Sequence, residues 1–258
     1  MHSLSERLRA AAADGVAVVA HRGDSRHHPE NTLAAFEAAV RLGVPMVEFD
    51  VRATVDGVLV CVHDETLDRT TDAANALGPG ALVAQLRHAE LAAVRAAGRP
   101  IPPLEEALAC MLPHTIPMIE HKAGTPAQYA ALLLRLGCSD RVVLQSFDWE
   151  FVATAATLLP NGCRAVLGPT HAHPRMDRAA RAEAARIGAS VLHWHAPSLR
   201  ATDVSEALAE GWVLCTYTSD TDLELAGGAA LGVHAMCTND PGHALQLRSA
   251  GRLRRQNA

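Results

Sequence analysis

The strongest constraint on this chain is the alternation of short β-branched runs with Ala/Leu-rich segments of helical period along nearly its whole length. Repeated βα units leave that pattern. The strand-like runs fall at residues 16–20, 45–50, 115–120, 142–146, 164–168, 190–194, 212–217 and 233–237. They number eight, the count that a closed parallel barrel needs. The expectation is therefore an α/β chain folded as a (β/α)8 TIM barrel. Asn31 or Thr32 should cap a helix ending at Gly43, and Thr125-Pro126 should open one ending at Gly137. Further helices should begin near Asp148, Thr202 and Asp220. A chain of 258 residues that is 49% hydrophobic can fill one core of this size, so residues 1–258 read as a single domain.

A ninth run, 58–62, follows the run ending at Asp50 too closely to lie parallel to it, since a parallel crossover takes a dozen residues or more. Asp56-Gly57 is a preferred two-residue hairpin turn, so this run should fold straight back. With those two residues central, Val55 faces Val58 and, counting outward, Asp50 faces His63. The irregular stretch that follows, 66–103, is broken by Gly78-Pro79-Gly80 and is too long for an ordinary barrel loop. It is expected to form a small insertion after the hairpin that carries His63.

Bulk properties exclude several functions. A formal charge of −5 with no run of five or more basic residues argues against a dedicated nucleic-acid or anionic-membrane surface. Arg248, Arg252, Arg254 and Arg255 form the main basic cluster, which we read as a solvated tail. The six cysteines are widely spaced without a C-x-x-C, a usage that suits a reducing cytoplasm. The apolar run at 16–20 is too short for a signal-peptide core or a membrane span, so no stable membrane association is expected. Assembly into a homo-oligomer is left open.

Glu48 and Asp50 sit two apart near the end of an apolar strand and so share a face. Adjacent carboxylates repel unless a positive charge lies between them, and a hard cation such as Mg²⁺ or Ca²⁺ prefers oxygen ligands. The competing reading is a surface strand end with one carboxylate paired to Arg52. Other strands end similarly, however: one in His21-Arg22-Gly23, another in Glu120-His121-Lys122. In barrels the C-terminal ends of the strands carry the active site. Glu48, Asp50 and Glu120 are thus candidate ligands of one divalent metal ion, and Arg22 and Lys122 candidate partners of a phosphate. His21 and His63 can divide general-base and general-acid work. The set fits phosphodiester cleavage.

These residues also fall in an ordered series of motifs. They are His21-Arg22-Gly23, Pro29-Glu30-Asn31-Thr32 with Phe36, Glu48-Phe49-Asp50-Val51, Asp56-Gly57, His63-Asp64 and Leu67-Asp68-Arg69-Thr70-Thr71. Then come Ile101-Pro102 with Leu104-Glu105-Glu106, Glu120 with Lys122, Ser146-Phe147, Tyr217-Thr218 and Thr238-Asn239-Asp240-Pro241. In this succession the chain resembles the glycerophosphodiester phosphodiesterases over nearly its whole length. The resemblance implies a phosphatidylinositol-phosphodiesterase-like TIM barrel, with Glu48, Asp50 and Glu120 on metal-ligand positions and His21 and His63 on the acid/base pair. It implies hydrolysis of small glycerophosphodiesters, such as glycerophosphocholine or glycerophosphoethanolamine, to sn-glycerol 3-phosphate and an alcohol. In the mechanism usually inferred for the family, the substrate's own 2-hydroxyl attacks phosphorus before water completes hydrolysis.

The chain departs from the family in places. His121 stands where Ile or Leu is common, but strand alternation turns it away from Glu120 and Lys122. Tyr217-Thr218-Ser219-Asp220 replaces a more usual Tyr-Thr-Val-Asn, and Asp220 reads either as the cap of the next helix or as a contact to the substrate's alcohol part. Thr238-Asn239 replaces a more usual Thr-Asp. His193 and His195 flank Trp194; an H-x-H pair can bind Zn²⁺, but no third ligand is placed for it. Trp194 and Tyr217 are expected to line the pocket, with Trp194 stacking on a head group. His27 and His28 should lie on an exposed loop. Two rivals remain: a lysophospholipase-D-like or other phosphodiesterase, which needs an apolar mouth, and a non-catalytic phosphoester-binding protein, which should have lost part of the constellation.

Overall fold

The computed structural model describes residues 3–256. Its strands are β1 (Ala17–His21), β2 (Met46–Ala53), β3 (Leu59–Cys61), β4 (Ile116–His121), β5 (Val143–Ser146), β6 (Cys163–Gly168), β7 (Val191–His195), β8 (Val213–Tyr217) and β9 (Ala235–Thr238). All but β3 are parallel, in the order β1-β2-β4-β5-β6-β7-β8-β9, and β9 pairs with β1 to close a (β/α)8 barrel. Each of the eight runs expected from the sequence overlaps one of these strands.

Strand alternation sorts the side chains into two layers. Val18, Val47, Ile119, Leu144, Val166 and Leu192 point outward and pack under the helices. Ala17, Val19, Met46, Met118, Ala165, Val191 and Val213 fill the barrel's lower interior together with Leu4 and Leu8. The helix Leu4–Ala11, opened by a Ser3/Glu6 capping box, thereby plugs the N-terminal end of the barrel. Each large apolar side chain buried this way contributes about 1.5–3 kcal/mol. At the opposite end the inward positions are His21, Glu48, Asp50, Glu120, Gln145 and His193, so polarity rises along the interior toward the strands' C-terminal ends.

The helix ends follow local chemistry. Thr32, not Asn31, caps the helix Leu33–Leu42, which Gly43 stops in the left-handed conformation. Thr125 forms a capping box with Gln128, and Asp148 caps Trp149–Leu158. The helix Asp222–Leu231 is capped by Thr221 with Glu224, which leaves the Asp220 carboxylate for other partners.

The hairpin corrects the expected register by one residue. Val51 faces Cys61 and Ala53 faces Leu59, and Val62 donates its N–H to Asp50 O at 3.0 Å. Asp50 thus lies opposite Val62, not His63. The cause is the turn: Thr54 N donates to Val58 O and Gly57 N to Thr54 O, both at 2.9 Å, with Gly57 at φ 82°. A three-residue loop ending in a left-handed glycine replaces the two-residue turn. Beyond β3, residues 66–103 contain short helices at Ala73–Ala76 and His88–Leu91, and bury Leu67, Val83, Leu91, Val94 and Ile101 against Val60 and Val62. The insertion therefore has an apolar core of its own.

Of the four C-terminal arginines expected in a solvated tail, Arg252 and Arg254 are exposed, but Arg248 and Arg255 are docked on the barrel. Arg248 lies in the helix Pro241–Ser249 and donates to Ala11 O, and Arg255 donates to Gly232 O. Leu253, buried between them, accepts the Val16 N–H through its carbonyl and docks the segment.

Candidate active site

Barrel register brings the acidic strand ends together: His21 of β1 lies beside Glu48 of β2, and Asp50 of β2 beside Glu120 of β4. Glu48, Asp50 and Glu120 are all buried, and one ligand oxygen from each lies within 4.8 Å of the others. Burial, then the neighbouring Asp50 and Glu120 charges, pushes the Glu48 carboxyl well above its ordinary range. Burial and Asp50 likewise push Glu120 up to about 7. Asp50 goes the other way. Burial would raise it, but Arg22, Lys122, His63 and a hydrogen bond from Asn31 together hold it below its ordinary value.

The two cations expected to bind phosphate stand among these carboxylates. Arg22 places Nε 3.1 Å from Asp50 Oδ2 and Nη1 2.7 Å from Glu30 Oε1. Lys122 Nζ is 3.4 Å from Asp50 Oδ1 and ion-pairs with Glu120. Arg22 adopts a left-handed backbone, and Gly23 follows it at φ 85°. A Cβ on Gly23 would come within 2.6 Å of the Ala35 backbone, so the His-Arg-Gly turn needs its glycine to pass the helix Leu33–Leu42.

Neither carboxylate oxygen of Glu48 has a hydrogen-bond partner, although both are buried. A buried, undonated carboxylate costs several kcal/mol unless it is protonated or meets a cation. The three-carboxylate, all-oxygen donor set therefore fits a bound metal ion, and it is the group of this kind found among the described residues.

The histidines flank this cluster. His21 places Nδ1 2.7 Å from Asn239 Oδ1 and Nε2 3.8 Å from Glu48 Oε2. Burial, then the Arg22 charge, lowers its pKa. His63 stands just past the hairpin, its Nδ1 2.5 Å from Asp64 Oδ1 and its carbonyl accepting from Arg52 Nε. Arg69 clasps both Asp64 and Glu30, and Glu30 in turn holds Arg22. A chain of ion pairs thus runs from His63 to Asp50.

A small cavity opens between His21, Glu48, Glu120, Phe147, His193 and Tyr217. Tyr217 borders it, but Trp194 does not. Trp194 is fully buried on the helix side, with its ring against Gly168. The alternation that turns His193 inward necessarily turns Trp194 outward. His193 is fully buried with Nδ1 2.8 Å from Gln145 Oε1, and burial pushes its pKa down to about 3. His195 bonds Ser198 near the rim. His121 stacks on Phe151 at 3.7 Å, away from Glu120, and His27 lies on an exposed loop beside Asp24.

Several site residues were missed as such in the sequence. Asn31 and Arg69 lie inside quoted motifs, but their service to Asp50 and Asp64 depends on tertiary closeness. Gln145 could have been found from its inward parity on the strand at 142–146. Asn239 meets His21 only because β9 closes on β1.

Residues 21–243 match the Glycerophosphoryl diester phosphodiesterase family. The chain belongs to that family. The family's match begins at His21 and takes in every candidate site residue described above. A relative from Mycobacterium tuberculosis (strain ATCC 25618 / H37Rv), "Probable glycerophosphodiester phosphodiesterase 1", is 32% identical over 91% of this chain and 93% of its own length. A local match to a glycerophosphodiester phosphodiesterase of Caldanaerobacter subterraneus is 60% identical over 55 residues, 21% of this chain and 23% of that protein. The barrel is similar to that of an Oleispira antarctica phosphodiesterase solved with the product sn-glycerol-3-phosphate. The two share a TM-score of 0.80 and 24% identity over 92% of this chain and 98% of the other.

Proposed function

We infer that this member of the glycerophosphodiester phosphodiesterase family hydrolyses small glycerophosphodiesters to sn-glycerol 3-phosphate and an alcohol, acting as a single barrel unit. The observation that carries this reading is the buried Glu48 carboxylate, undonated at both oxygens and facing His21, inside the region that matches the family. Glu48, Asp50 and Glu120 would hold the metal ion, and their oxygen chemistry favours Mg²⁺ or Ca²⁺. Such an ion supplies Lewis-acid polarisation of a phosphoryl oxygen.

The chain's own residues account for the rest. Arg22 and Lys122, each 17% exposed and paired to Asp50 at the edge of the carboxylate cluster, would supply positive charge to the phosphate. Asn239 occupies the Nδ1 side of His21 and Asp64 that of His63, which leaves Nε2 of each ring for proton transfer. One ring removes a proton from the attacking hydroxyl and the other protonates the departing alkoxide.

A lysophospholipid substrate would need an apolar mouth. The insertion turns Leu67, Val83, Leu91, Val94 and Ile101 into its own core, and Phe147 is the exposed large apolar side chain at the cavity. A small polar diester suits this rim better, and all five central residues are present, which disfavours a binding-only role. No described helix is long and apolar enough to cross a membrane. The six unpaired thiols suit a reducing cytoplasm, and we propose no nucleic-acid partner.

The deciding experiment incubates purified protein with glycerophosphocholine or glycerophosphoethanolamine and Mg²⁺ or Ca²⁺, and couples released sn-glycerol 3-phosphate to its dehydrogenase. Metal-dependent release is expected. No release with several head groups across Mg²⁺, Ca²⁺, Mn²⁺ and Zn²⁺ overturns the reading.

A further inference from the structure

A chain of hydrogen bonds behind His21 decides which of its ring nitrogens carries the proton. His21 Nδ1 lies 2.7 Å from Asn239 Oδ1, and Ser25 Oγ donates to that same oxygen at 3.1 Å. On its other side, Asn239 Nδ2 donates to Asp220 Oδ2 at 2.6 Å. The Asn239 backbone N–H and Thr238 Oγ1 donate to Asp220 Oδ1 at 2.7 and 3.0 Å. An ionised carboxylate only accepts, so the amide must turn its NH2 to Asp220 and its oxygen to His21. An amide oxygen also only accepts, so His21 must donate through Nδ1–H. In the neutral ring Nε2 then keeps the lone pair, 3.8 Å from Glu48 Oε2.

We propose that Asp220 and Asn239 are positioning residues for His21: the carboxylate orients the amide, and the amide holds the imidazole as its Nδ1–H tautomer with Nε2 turned to the cleft. The proposal rests on the reading of His21 as an acid/base residue and deepens it. It also joins two departures from the family's usual motifs, because Asp220 stands in place of an amide and Asn239 in place of an acid, and the two are bonded to each other. With the amide at 220 and the acid at 239, the bond between them would reverse, the amide donating to the acid, while His21 would still donate from Nδ1–H. The exchanged pair keeps an acceptor against His21 Nδ1 while making that acceptor a neutral group. The helix Asp222–Leu231 does not need Asp220, because Thr221 caps it.

The test has a spectroscopic and a kinetic arm. Histidine-selective ¹⁵N NMR of the metal-free wild-type protein, with the His21 signals assigned through His21→Gln, should show Nδ1 protonated and Nε2 bare. Asp220→Asn and Asn239→Asp should each lower kcat by about 10- to 100-fold with KM nearly unchanged, as when an outer partner of an active-site histidine is lost. Asp220→Asn should also mix the His21 tautomers. The double variant Asp220→Asn/Asn239→Asp again pairs one amide with one acid, leaves an acceptor against His21 Nδ1, and should recover most of the lost kcat. Protonated Nε2 in the wild-type spectrum overturns the proposal. So does an Asp220→Asn protein with unchanged tautomer and kcat, or a double variant no better than the singles. If wild-type protein releases no sn-glycerol 3-phosphate, the functional reading falls, and the NMR arm still decides the tautomer.

Discussion

Asn31 grips Asp50 through both ends of its amide: Nδ2 donates to Asp50 Oδ2 at 2.9 Å, and Oδ1 accepts the Asp50 backbone N–H at 3.1 Å. Both residues are buried, and Asn31 holds a left-handed backbone at φ 57°, which asparagine tolerates better than alanine. Asn31→Ala should lower the unfolding free energy by about 1–3 kcal/mol, because it leaves a buried N–H and a carboxylate oxygen short of a partner. It should also raise the metal concentration for half-activation, by about 10-fold. Urea melts and metal titrations check the two effects, and Asn31→Gly, which relieves the backbone but not the bonds, separates their causes. Wild-type stability in Asn31→Ala would remove Asn31 from the account.

The carboxylate cluster predicts how stabilisation by metal changes with pH. Glu120, ordinarily near 4.5, titrates near 7 in the metal-free fold, and Glu48 shifts the same way. Between those values Glu120 binds more protons in the folded chain than in the unfolded one. The stability that Glu120 contributes is therefore full below 4.5 and is lost as pH climbs through about 7. His193, near 3, and His234, near 4, act oppositely: their contribution is lost as pH falls below 6.5. Comparing metal-free with metal-saturated melts largely cancels these two histidines and isolates the ligands. The Tm gain from saturating Mg²⁺ or Ca²⁺ should grow from about pH 5.5 to about pH 8, as the cation no longer has to displace protons. An equal gain at both values would count against ligation by these side chains.

Much of this architecture was legible because strand alternation carries it. The parity that pairs Glu48 with Asp50 and sends His121 to Phe151 follows from the period of two alone. Trp194 sits at a strand end, but the same parity puts it with Val166 and Leu192 in the outer layer, away from the pocket. The hairpin register slipped because Asp-Gly serves both two- and three-residue turns, and the difference lies in the backbone of Gly57. Asn239 meets His21 across 218 residues of sequence only because the barrel closes, and Arg69 reaches Glu30, 39 residues earlier, only through the packing of the loops above the strands.

The two histidines should be separable from the fold. His63 is about one-third exposed, and His21, 18% exposed, lies at the mouth of the barrel rather than among the apolar core residues, so replacing either leaves the core packing intact. His21→Ala and His63→Ala should each reduce kcat by about 10²- to 10⁴-fold, the usual contribution of a positioned acid or base. Thermal melts should stay close to the wild type. Wild-type turnover in either variant would refute that residue's role. Asp64→Ala should produce a smaller loss than His63→Ala, since Asp64 acts only by holding Nδ1 of His63 and by anchoring Arg69.

Trp194 and Tyr217 make opposite predictions about head-group choice. Trp194 is sealed behind β7 with its ring against Gly168, where even an added methyl would lie 2.4 Å from the ring. Trp194→Phe should leave a void and cost about 1–3 kcal/mol, yet leave the ratio of kcat/KM for glycerophosphocholine and glycerophosphoethanolamine unchanged. Tyr217 lines the cavity, stands edge-on to Phe147 at 6.0 Å and donates its hydroxyl to Gly168 O at 2.8 Å. Tyr217→Phe removes that bond while keeping the ring, whereas Tyr217→Ala opens the wall of the cavity. Tyr217→Ala should therefore change the head-group ratio through KM, and Tyr217→Phe should change it far less. Kinetics with both diesters decide the matter. A ratio that moves in Trp194→Phe and stays fixed in Tyr217→Ala would place the alcohol against a different wall of the barrel.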